Sequence, residues 1–387
     1  MAGGDASCAG GVLELLIIQP TPFCNLDCGY CYLPGRQSKE RISREMLRKI
    51  FQRAFESSLV GGEFTVVWHA GEPLVMPVSF YEEALEIIRE ENTQGVQVSH
   101  SFQTNATLVT REWCEFLLAN ELSIGVSVDG PAFLHDRHRK TRGGQGTWGR
   151  VARGIDLLNG HQVPFHVITV LTAESLDFPD ELFDFYCDFG MRDVCFNIEE
   201  IEGPHTSSTL SPMAAQMRYR QFMERFYDLT QESGERFSVR EFDSAAASVL
   251  ATIPIRQDRS PQQTTPFGII SVDCKGNFST FSPELLGLQS EVYGDFALGN
   301  VMTDRFESVM ETPKYQAIAR DVALGVERCK RECEYFPYCG GGAPINKLFE
   351  NGAFDSTETL FCRLTRKMPI DIVLEKVTRN AVPAQHC

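Results

Sequence analysis

The residues best suited to chemistry in this chain are two groups of closely spaced cysteines. The first group is Cys24, Cys28 and Cys31, and the second is Cys329, Cys333 and Cys339, with Cys362 further on. Thirteen Cys in a chain with no secretion signal are not expected to form a disulfide framework, because cytosolic reductants keep thiols reduced. The clustering therefore indicates two metal centres. We expect the single Cys114, Cys187 and Cys195 to be small core residues, and Cys8 and Cys387 to lie in frayed termini.

The first group, CNLDCGYC, places three thiolates on a short loop. A structural zinc site needs four closed ligands. A [4Fe-4S] cluster held by three Cys instead leaves one iron open for a small molecule. This segment alone leaves both readings open, since His or a distant Cys could complete a zinc site.

The elements that must position these thiols alternate along the first half of the chain. Between residues 12 and 200, six β-rich runs alternate with amphipathic stretches, and Ser43 and Thr110 stand at expected helix N-caps. Such alternation predicts parallel βα units, in an open doubly wound sheet or a partial barrel. A further helix is expected over 211–233. From about 236 the pattern becomes irregular and rich in Gly, Pro and Cys, so this part needs a staple such as a metal centre.

Small and polar residues follow the second, third and fourth strands, in WHAGEPL, QTNATL and SVDGP. Parallel α/β folds carry active sites at these strand ends. Gly71 allows close approach of a ligand, Glu72 offers a carboxylate, and Asn105, Ser127 and Arg139 can hydrogen-bond hydroxyls or a carboxylate. Each has an ordinary explanation as a turn, a loop or a solvated charge, but their common register favours a binding site.

These features resemble the radical S-adenosylmethionine (SAM) superfamily: C-x3-C-x2-C after the first strand, Tyr30 before the last Cys, and AGEP after the second strand. The resemblance implies an α/β fold with a partial (β/α)6 TIM-like barrel over residues 12–235, after a flexible N-terminus at 1–11. It implies that the first three Cys hold a [4Fe-4S] cluster whose open iron binds SAM. The residues it places near SAM or substrate are Tyr30, Gly71, Glu72, Gln103, Asn105, Ser127 and Arg139.

The second cysteine group could by its spacing hold zinc or iron and sulfur. Residues 236–387 resemble the C-terminal SPASM domain of peptide-modifying radical SAM enzymes, which can carry two auxiliary clusters. Ala343 stands where that domain usually has another Cys, and Cys274 is displaced from the expected place. The resemblance therefore implies one auxiliary [4Fe-4S] cluster, held by Cys329, Cys333, Cys339 and Cys362, and a plain thiol at Cys274.

Longer strings, including QPTPFCNLDCGYCYLPGR and YCGGGAPINKLFENG, resemble the GrrM/OscB-type peptide maturases. This implies an enzyme that acts on a ribosomally made glycine-rich precursor peptide. It would join an aromatic ring to a Cβ two positions along, giving a three-residue cyclophane. Restoring aromaticity removes one electron and one proton, for which the auxiliary cluster and a carboxylate, Glu284 or Asp273, are the expected acceptors.

Composition limits the partners. With 36 basic and 52 acidic side chains the formal charge is -16, which argues against nucleic acid and anionic membranes. No apolar run is long enough to cross a bilayer, and the start lacks signal-peptide features. We expect a cytoplasmic protein and a donor such as flavodoxin or ferredoxin. Because only 23 residues precede Cys24, we expect the barrel mouth and SPASM domain to recognise the precursor.

Two alternatives remain. An anaerobic sulfatase maturase, which forms formylglycine, shares the barrel and the SPASM domain but typically keeps both auxiliary clusters. Outside enzymes, a zinc-stapled peptide-binding scaffold would use the same cysteines without redox chemistry.

Overall fold

The computed structural model describes residues 11–234, 236–250 and 261–381. The expectation for Cys8 and Cys387 lies outside these described residues. The chain divides into two compact units, each discontinuous in sequence. Unit 1 comprises Met1–Cys24, Leu33–Gln103 and Gln262–Asp321, and unit 2 comprises Asn25–Tyr32, Thr104–Pro261 and Val322–Cys387. The predicted domain boundary at 235/236 stays a prediction.

The strands of the described residues are short. They are β1 (Leu15–Ile18), β2 (Glu63–Trp68), β3 (Gln97–Thr104), β4 (Ser123–Ser127), β5 (Phe165–Leu171), β6 (Asp193–Ile198), β7 (Ser238–Val239), β8 (Ile269–Val272), β9 (Asn277–Thr280), β10 (Gln289–Ser290), β11 (Gly294–Asp295) and β12 (Gly299–Asn300). The six strands expected between residues 12 and 200 are all present as β1 to β6.

The α-helices follow the same order. They are α1 (Arg44–Phe55), α2 (Val78–Glu91), α3 (Arg111–Ala119), α4 (Ala132–His138), α5 (Trp148–Gly160), α6 (Pro179–Asp188), α7 (Met213–Glu232), α8 (Arg240–Leu250), α9 (Pro313–Glu332), α10 (Phe336–Cys339), α11 (Pro344–Asn351), α12 (Leu360–Cys362) and α13 (Met368–Ala381). Both expected N-caps are confirmed, because Ser43 accepts a hydrogen bond from the Met46 amide and Thr110 accepts one from the Trp113 amide.

Unit 1 contains a mixed sheet in which β1 lies between β2 and β8, parallel to both. The strand β3 pairs in parallel with β2, and β9 and β12 extend the other side in antiparallel fashion. One face of this sheet is apolar and packs on aromatic side chains of the helices; the Trp68 and Tyr81 rings, for example, are 5.2 Å apart. Burial of that face fixes the register of the strands.

Unit 2 contains the parallel strands β4, β5, β6 and β7. Its core is rich in aromatic rings, with the Phe196 and Phe226 centroids 4.9 Å apart in an edge-to-face arrangement. Cys114 and Cys195 are buried, which confirms them as core residues. In the part of the chain that the structure describes, no helix is both long enough and apolar enough to cross a membrane.

Candidate active site

The three-cysteine loop follows β1 in chain order, as the sequence predicts. Cys24 belongs to unit 1, where its amide donates to the Arg36 carbonyl at 3.1 Å. Cys28 and Cys31 belong to unit 2, where the Cys31 amide donates to the Cys28 carbonyl at 3.3 Å. All three side chains are half-buried. Their thiols are the groups of this loop suited to bind a soft metal centre.

In unit 2 this loop is fastened to the chain around the end of α4. The Asp27 amide donates to the Lys140 carbonyl at 2.8 Å, and the Gly29 amide donates to the His138 carbonyl at 3.0 Å. Leu26 forms an antiparallel bridge with Thr141. The loop therefore has a defined path before any ligand arrives.

In unit 1 the AGEP turn after β2 lies directly against the chain that leads to Cys24. Gly71 has a φ of 77°, and a Cβ placed there would lie 2.4 Å from the Thr21 carbonyl oxygen. The Glu72 amide donates to the Phe23 carbonyl at 2.8 Å. Only glycine fits this position, so the turn and the cysteine-bearing segment are packed as one piece.

Glu72 is 1% exposed, and its Oε1 accepts a hydrogen bond from the Leu74 amide at 3.0 Å, where it caps a short 3₁₀ turn over Pro73–Val75. The carboxylate is therefore held in place by its own turn. Its expected contact with the amino group of SAM stays a prediction.

A buried ion pair organises the end of β4 in unit 2. Arg139 donates through Nε and Nη2 to the two oxygens of Asp129 at 3.0 and 3.1 Å. Tyr30, from the cysteine loop, donates its hydroxyl to the same carboxylate, and Arg139 lies 5.5 Å from the Tyr30 ring centroid. Asp129 and Arg139 are only 3% and 6% exposed. The pair thus ties the cysteine loop to the strand end.

The protonation states in this network follow from the pairing. Burial by itself would raise the pKa of Asp129, but the charge of Arg139 and the other groups around the carboxylate, including the Tyr30 hydroxyl, together hold the pKa below its usual value. Burial raises the pKa of Tyr30 well above its usual value. Burial lowers the pKa of His135 to about 4, so its ring is neutral; its Nδ1 accepts from the Asp129 amide at 3.3 Å. Both charges of the ion pair persist near neutral pH.

Asn105 also contacts the cysteine loop within unit 2. Its Nδ2 donates to Asn25 Oδ1 at 2.9 Å, and its Oδ1 accepts from the Thr107 hydroxyl at 2.6 Å. Asn25 donates in turn to Thr107 at 2.8 Å. Asn105 therefore holds the residue that follows Cys24, and the predicted roles of Asn105 and Ser127 towards SAM or substrate stay predictions.

A row of polar residues crosses the open face of the unit 1 sheet. Trp68 pairs with Ile18 and with Phe102, and Ile18 pairs with Val272. The next residue along the chain follows the strand end in β1, β2 and β8, and the backbone pairing continues there, since the Gln19 amide donates to the Val272 carbonyl at 2.9 Å and the His69 amide donates to the Ile18 carbonyl at 3.1 Å. This row is Gln19, His69, Gln103 and Asp273, all half-buried.

His69 was not singled out from the sequence. Its Nδ1 is buried without a hydrogen-bond partner, and burial lowers its pKa to about 4. A neutral imidazole at a strand end can accept a hydrogen bond from a ligand or donate one to it. Its position before AGEP was the only signal available in the sequence.

The two carboxylates expected to act as bases differ in their surroundings. Asp273 accepts from the Lys275 and Asn277 amides at 2.8 and 2.9 Å, and from Asn277 Nδ2 at 2.9 Å, so it holds the β8–β9 turn. Glu284 lies three residues after Phe281, whose φ is 74°. Its Oε2 is buried without a partner, and burial raises its pKa to about 7.

The second cysteine group surrounds one cavity in unit 2. Cys329, near the end of α9, Cys333, Cys339 of α10 and Cys362 of α12 line a cavity of about 180 Å³. Between α10 and α11 the chain turns through Gly340, Gly341 and Gly342, which all have positive φ. The structure thus brings together the four thiols that the sequence grouped. Buried Ala343 also lines the cavity.

Burial raises the pKa of the Cys329 thiol, which Lys347 lowers in part, and burial raises the pKa of Cys362 to about 12. Among the described residues, no three Cys, His, Asp or Glu side chains are arranged to hold a metal ion. A four-iron cluster takes one thiolate on each iron, so its ligands surround it rather than meet at one ion. Four thiols around one cavity match that donor set.

The fold and the site together define a class: an α/β protein with a three-cysteine loop after its first strand and polar groups at the following strand ends. The sequence profile of the radical SAM superfamily matches residues 18–186. The matched segment contains the three-cysteine loop and the AGEP turn. SAM and a [4Fe-4S] cluster, the cofactors of that superfamily, are the cofactors of this chain.

Two relatives cover most of the sequence. An uncharacterized protein of Synechocystis sp. is 45% identical over 370 residues, or 94% of this chain and 92% of that protein. A serine-type anaerobic sulfatase-maturating enzyme of Bacteroides thetaiotaomicron is 26% identical over 357 residues, or 84% of this chain and 81% of that enzyme.

Two solved structures share the fold. Native anSMEcpe with bound AdoMet and Cp18Cys peptide has a TM-score of 0.76 and 23% identity, covering 95% of this chain and 98% of that chain. Streptococcus suis SuiB bound to precursor peptide SuiA has a TM-score of 0.62 and 16% identity, covering 91% of this chain and 76% of that chain. At these identities the likeness shows the fold alone, and it confirms the radical SAM α/β fold expected from the sequence.

Proposed function

We propose that this protein is a cytoplasmic radical SAM maturase that crosslinks a ribosomally made, glycine-rich precursor peptide. The product is a three-residue cyclophane, in which an aromatic ring is joined to the Cβ of a residue two positions along. The observation that carries the proposal is the cavity lined by four cysteines in unit 2, in addition to the three-cysteine loop. Oxidative ring coupling needs a second redox site, and this cavity offers one.

In this proposal Cys24, Cys28 and Cys31 hold the cluster that binds SAM. When bound, that cluster and SAM supply a 5′-deoxyadenosyl radical, using one electron from a donor such as flavodoxin or ferredoxin. Residues of the chain position the reactants: the AGEP turn fixes the cysteine-bearing segment, and the Asp129–Arg139 pair fixes Tyr30.

The atoms and electrons that leave the peptide define which acceptors the reaction needs. Removal of a hydrogen atom from Cβ leaves a carbon radical, which bonds to a ring carbon. The ring then loses one electron and one proton to become aromatic again. The peptide loses two hydrogen atoms in all, while SAM becomes methionine and 5′-deoxyadenosine. The chemistry that an auxiliary cluster held by the four cysteines would supply is acceptance of the ring electron.

Glu284 is the better choice for the proton acceptor. Both oxygens of Asp273 already accept hydrogen bonds in the β8–β9 turn, whereas Glu284 Oε2 is buried without a partner. A general base works best when its pKa is near the working pH, and burial brings Glu284 to about 7. We assign the proton transfer to Glu284.

A peptide partner is supported by the two structures of similar fold, since anSMEcpe is bound to Cp18Cys peptide and SuiB is bound to precursor peptide SuiA. The glycine-rich character of the precursor and the identity of the donor rest on the resemblance in sequence. The match of residues 18–186 to the radical SAM superfamily favours an enzyme over a zinc-stapled scaffold without redox chemistry.

The second candidate function is anaerobic sulfatase maturation, which the Bacteroides relative favours. That reaction oxidises a Cys or Ser side chain to formylglycine and needs no aromatic residue. The two candidate functions can therefore be distinguished by the peptide that each one modifies.

The experiment is anaerobic incubation of reconstituted protein with SAM and reductant, in parallel with two peptides. One peptide is a glycine-rich precursor, and the other is a sulfatase-derived peptide with its Cys or Ser. Tandem mass spectrometry should show loss of two hydrogens from the precursor, mapped to a three-residue aromatic segment that no longer fragments internally. An aldehyde on the sulfatase peptide, trapped by a hydrazide probe, with an unchanged precursor would establish the alternative instead.

A further inference from the structure

Lys347 is a buried cation in the cavity lined by Cys329, Cys333, Cys339 and Cys362. It lies on α11 and is 3% exposed. It lines that cavity together with the four cysteines. Lysine is almost never fully buried unless it is paired, so this position calls for an explanation.

The surrounding backbone makes room for the lysine. A Cβ at Gly325 of α9 would lie 3.1 Å from Lys347 Nζ, and a Cβ at Gly342 would lie 3.7 Å from its Cε. Two glycines thus border the lysine side chain where it enters the cavity. The lysine is enclosed rather than lying along the surface.

The other charges of the cavity do not neutralise Lys347. Lys367 forms an ion pair with Glu358 and lies 5.2 Å from the Tyr335 ring centroid. Glu332 is exposed. Among the ion pairs of the described residues none involves Lys347. A buried cation without a carboxylate is destabilising, so its counter-charge must come from the thiolates and from what they bind.

A group held by four thiolates carries net negative charge, and one-electron reduction adds another negative charge. A fixed cation in a low-dielectric cavity stabilises the more negative state more strongly. Charge, hydrogen bonds to sulfur and burial are the protein's means of setting the potential of an iron–sulfur cluster. Lys347 supplies the charge and is itself buried in the cavity that the four cysteines line.

We propose that Lys347 is the charge partner of the auxiliary cluster and raises its reduction potential, so that the cluster can accept the electron removed from the crosslinked ring. This inference rests on the proposed function for the need to accept that electron. Lys347 acts through the cluster and is a positioning residue in the reaction.

The test is an anaerobic redox titration of the reconstituted full-length protein, followed by electron paramagnetic resonance. Added SAM perturbs the signal of the cluster with the open iron and thereby identifies the other signal as the auxiliary cluster. In Lys347→Met we expect about a tenfold fall in the equilibrium constant for one-electron reduction, which is about 59 mV towards more negative potential. Lys347→Arg keeps the charge and should stay near the wild-type midpoint.

Lys367→Met is the matched control, because Lys367 lines the same cavity but is neutralised by Glu358. Its shift should be clearly smaller than that of Lys347→Met. If Lys347→Met fails to assemble the cluster while Lys347→Arg assembles it, the need for a cation is likewise supported.

An unchanged auxiliary midpoint in Lys347→Met would overturn the inference, as would the absence of any auxiliary signal in the wild-type protein. Neither readout uses the peptide. A shifted midpoint in a protein that leaves the precursor unchanged would therefore refute the proposed function and keep the role of Lys347.

Discussion

At the scale of single residues, the groups that matter most here are polar side chains removed from water. Glu284 presents a buried oxygen without a partner, while Asp129 and Arg139 neutralise each other. The two arrangements affect the stability of the folded protein in different ways. An unpartnered carboxyl destabilises the folded protein once it ionises, whereas a buried pair destabilises it when one member is removed.

Replacing Glu284 with Gln should change both activity and the pH dependence of stability. Since burial raises its pKa to about 7, the folded state favours the protonated form, and wild-type stability should fall as pH rises from 5 to 8. The loss is at most on the order of 3 kcal/mol. Glu284→Gln should lack this fall and should form crosslinked peptide more slowly while still cleaving SAM. Anaerobic urea unfolding at pH 5 and pH 8 measures the change in stability. The same fall in stability with pH in the wild type and in Glu284→Gln would contradict the prediction.

Replacing Asp129 with Asn should leave the guanidinium of Arg139 buried without its counter-charge. We expect a loss of about 3–5 kcal/mol in the free energy of unfolding. Asp177→Asn removes an Asp from an exposed pair with Arg218, and should change the free energy by under about 1 kcal/mol. Denaturant unfolding measures the free energy of unfolding of both variants. Equal losses would show that the buried ion pair stabilises the protein no more than the exposed one.

The residue-level part of the site was only partly readable from sequence. The cysteine spacing grouped four thiols that line one cavity in the structure. Asp129 had the ordinary explanation of a turn residue in Asp-Gly-Pro, and its ion pair with Arg139 depends on a fold that joins positions ten residues apart. His69 and Lys347 lie within the quoted strings WHAGEPL and YCGGGAPINKLFENG, but neither string by itself assigns them a role. Their importance comes from burial, which a single sequence does not display for polar residues.

At the scale of elements, the decisive contact in unit 1 is the one between the AGEP turn and the segment before Cys24. Two backbones meet there with no room for a side chain. The position of the first cysteine is thus set by the turn after the neighbouring strand. A change in that turn should therefore affect how the cluster is bound.

Replacing Gly71 with Ala should displace this segment, because the new Cβ would lie 2.4 Å from the Thr21 carbonyl and 2.8 Å from the Phe23 carbonyl. We expect at least about a tenfold loss of SAM cleavage, together with reduced iron and sulfide content. Gly35→Ala is the control, since Gly35 has a similar φ of 67° with nothing within 4 Å. It should lose only about 1 kcal/mol of stability, and equal SAM cleavage in the two variants would contradict the packing argument.

Elements of the first half were predictable because they are local. Alternating apolar runs gave the six strands, and Ser43 and Thr110 marked helix starts. Beyond about residue 236 the expectation of irregular structure was incomplete. The strand Ile269–Val272 pairs with β1, some 250 residues earlier, and α9 is a 20-residue helix. Pairing over such a separation is set by tertiary packing, which local patterns do not reveal.

At the scale of the whole molecule, the proposed reaction requires two clusters per chain. Anaerobically reconstituted protein should contain about eight irons, four for each [4Fe-4S] cluster. Cys339→Ala should reduce iron towards about four while SAM cleavage continues, and Cys274→Ala should leave the content unchanged. About twelve irons would favour a sulfatase-maturase pattern, and zinc in place of iron at the second site would contradict an auxiliary cluster.

The central claim is that hydrogen is taken from a peptide Cβ, and isotope transfer tests it most directly. The glycine-rich precursor is made with deuterium at the Cβ of the residue that becomes linked to the ring, and is incubated with reconstituted protein, SAM and reductant. The account predicts one deuterium in the 5′-deoxyadenosine formed, together with a crosslinked peptide that has lost one deuterium and one hydrogen. Unlabelled 5′-deoxyadenosine beside a peptide that keeps all its deuterium would contradict it.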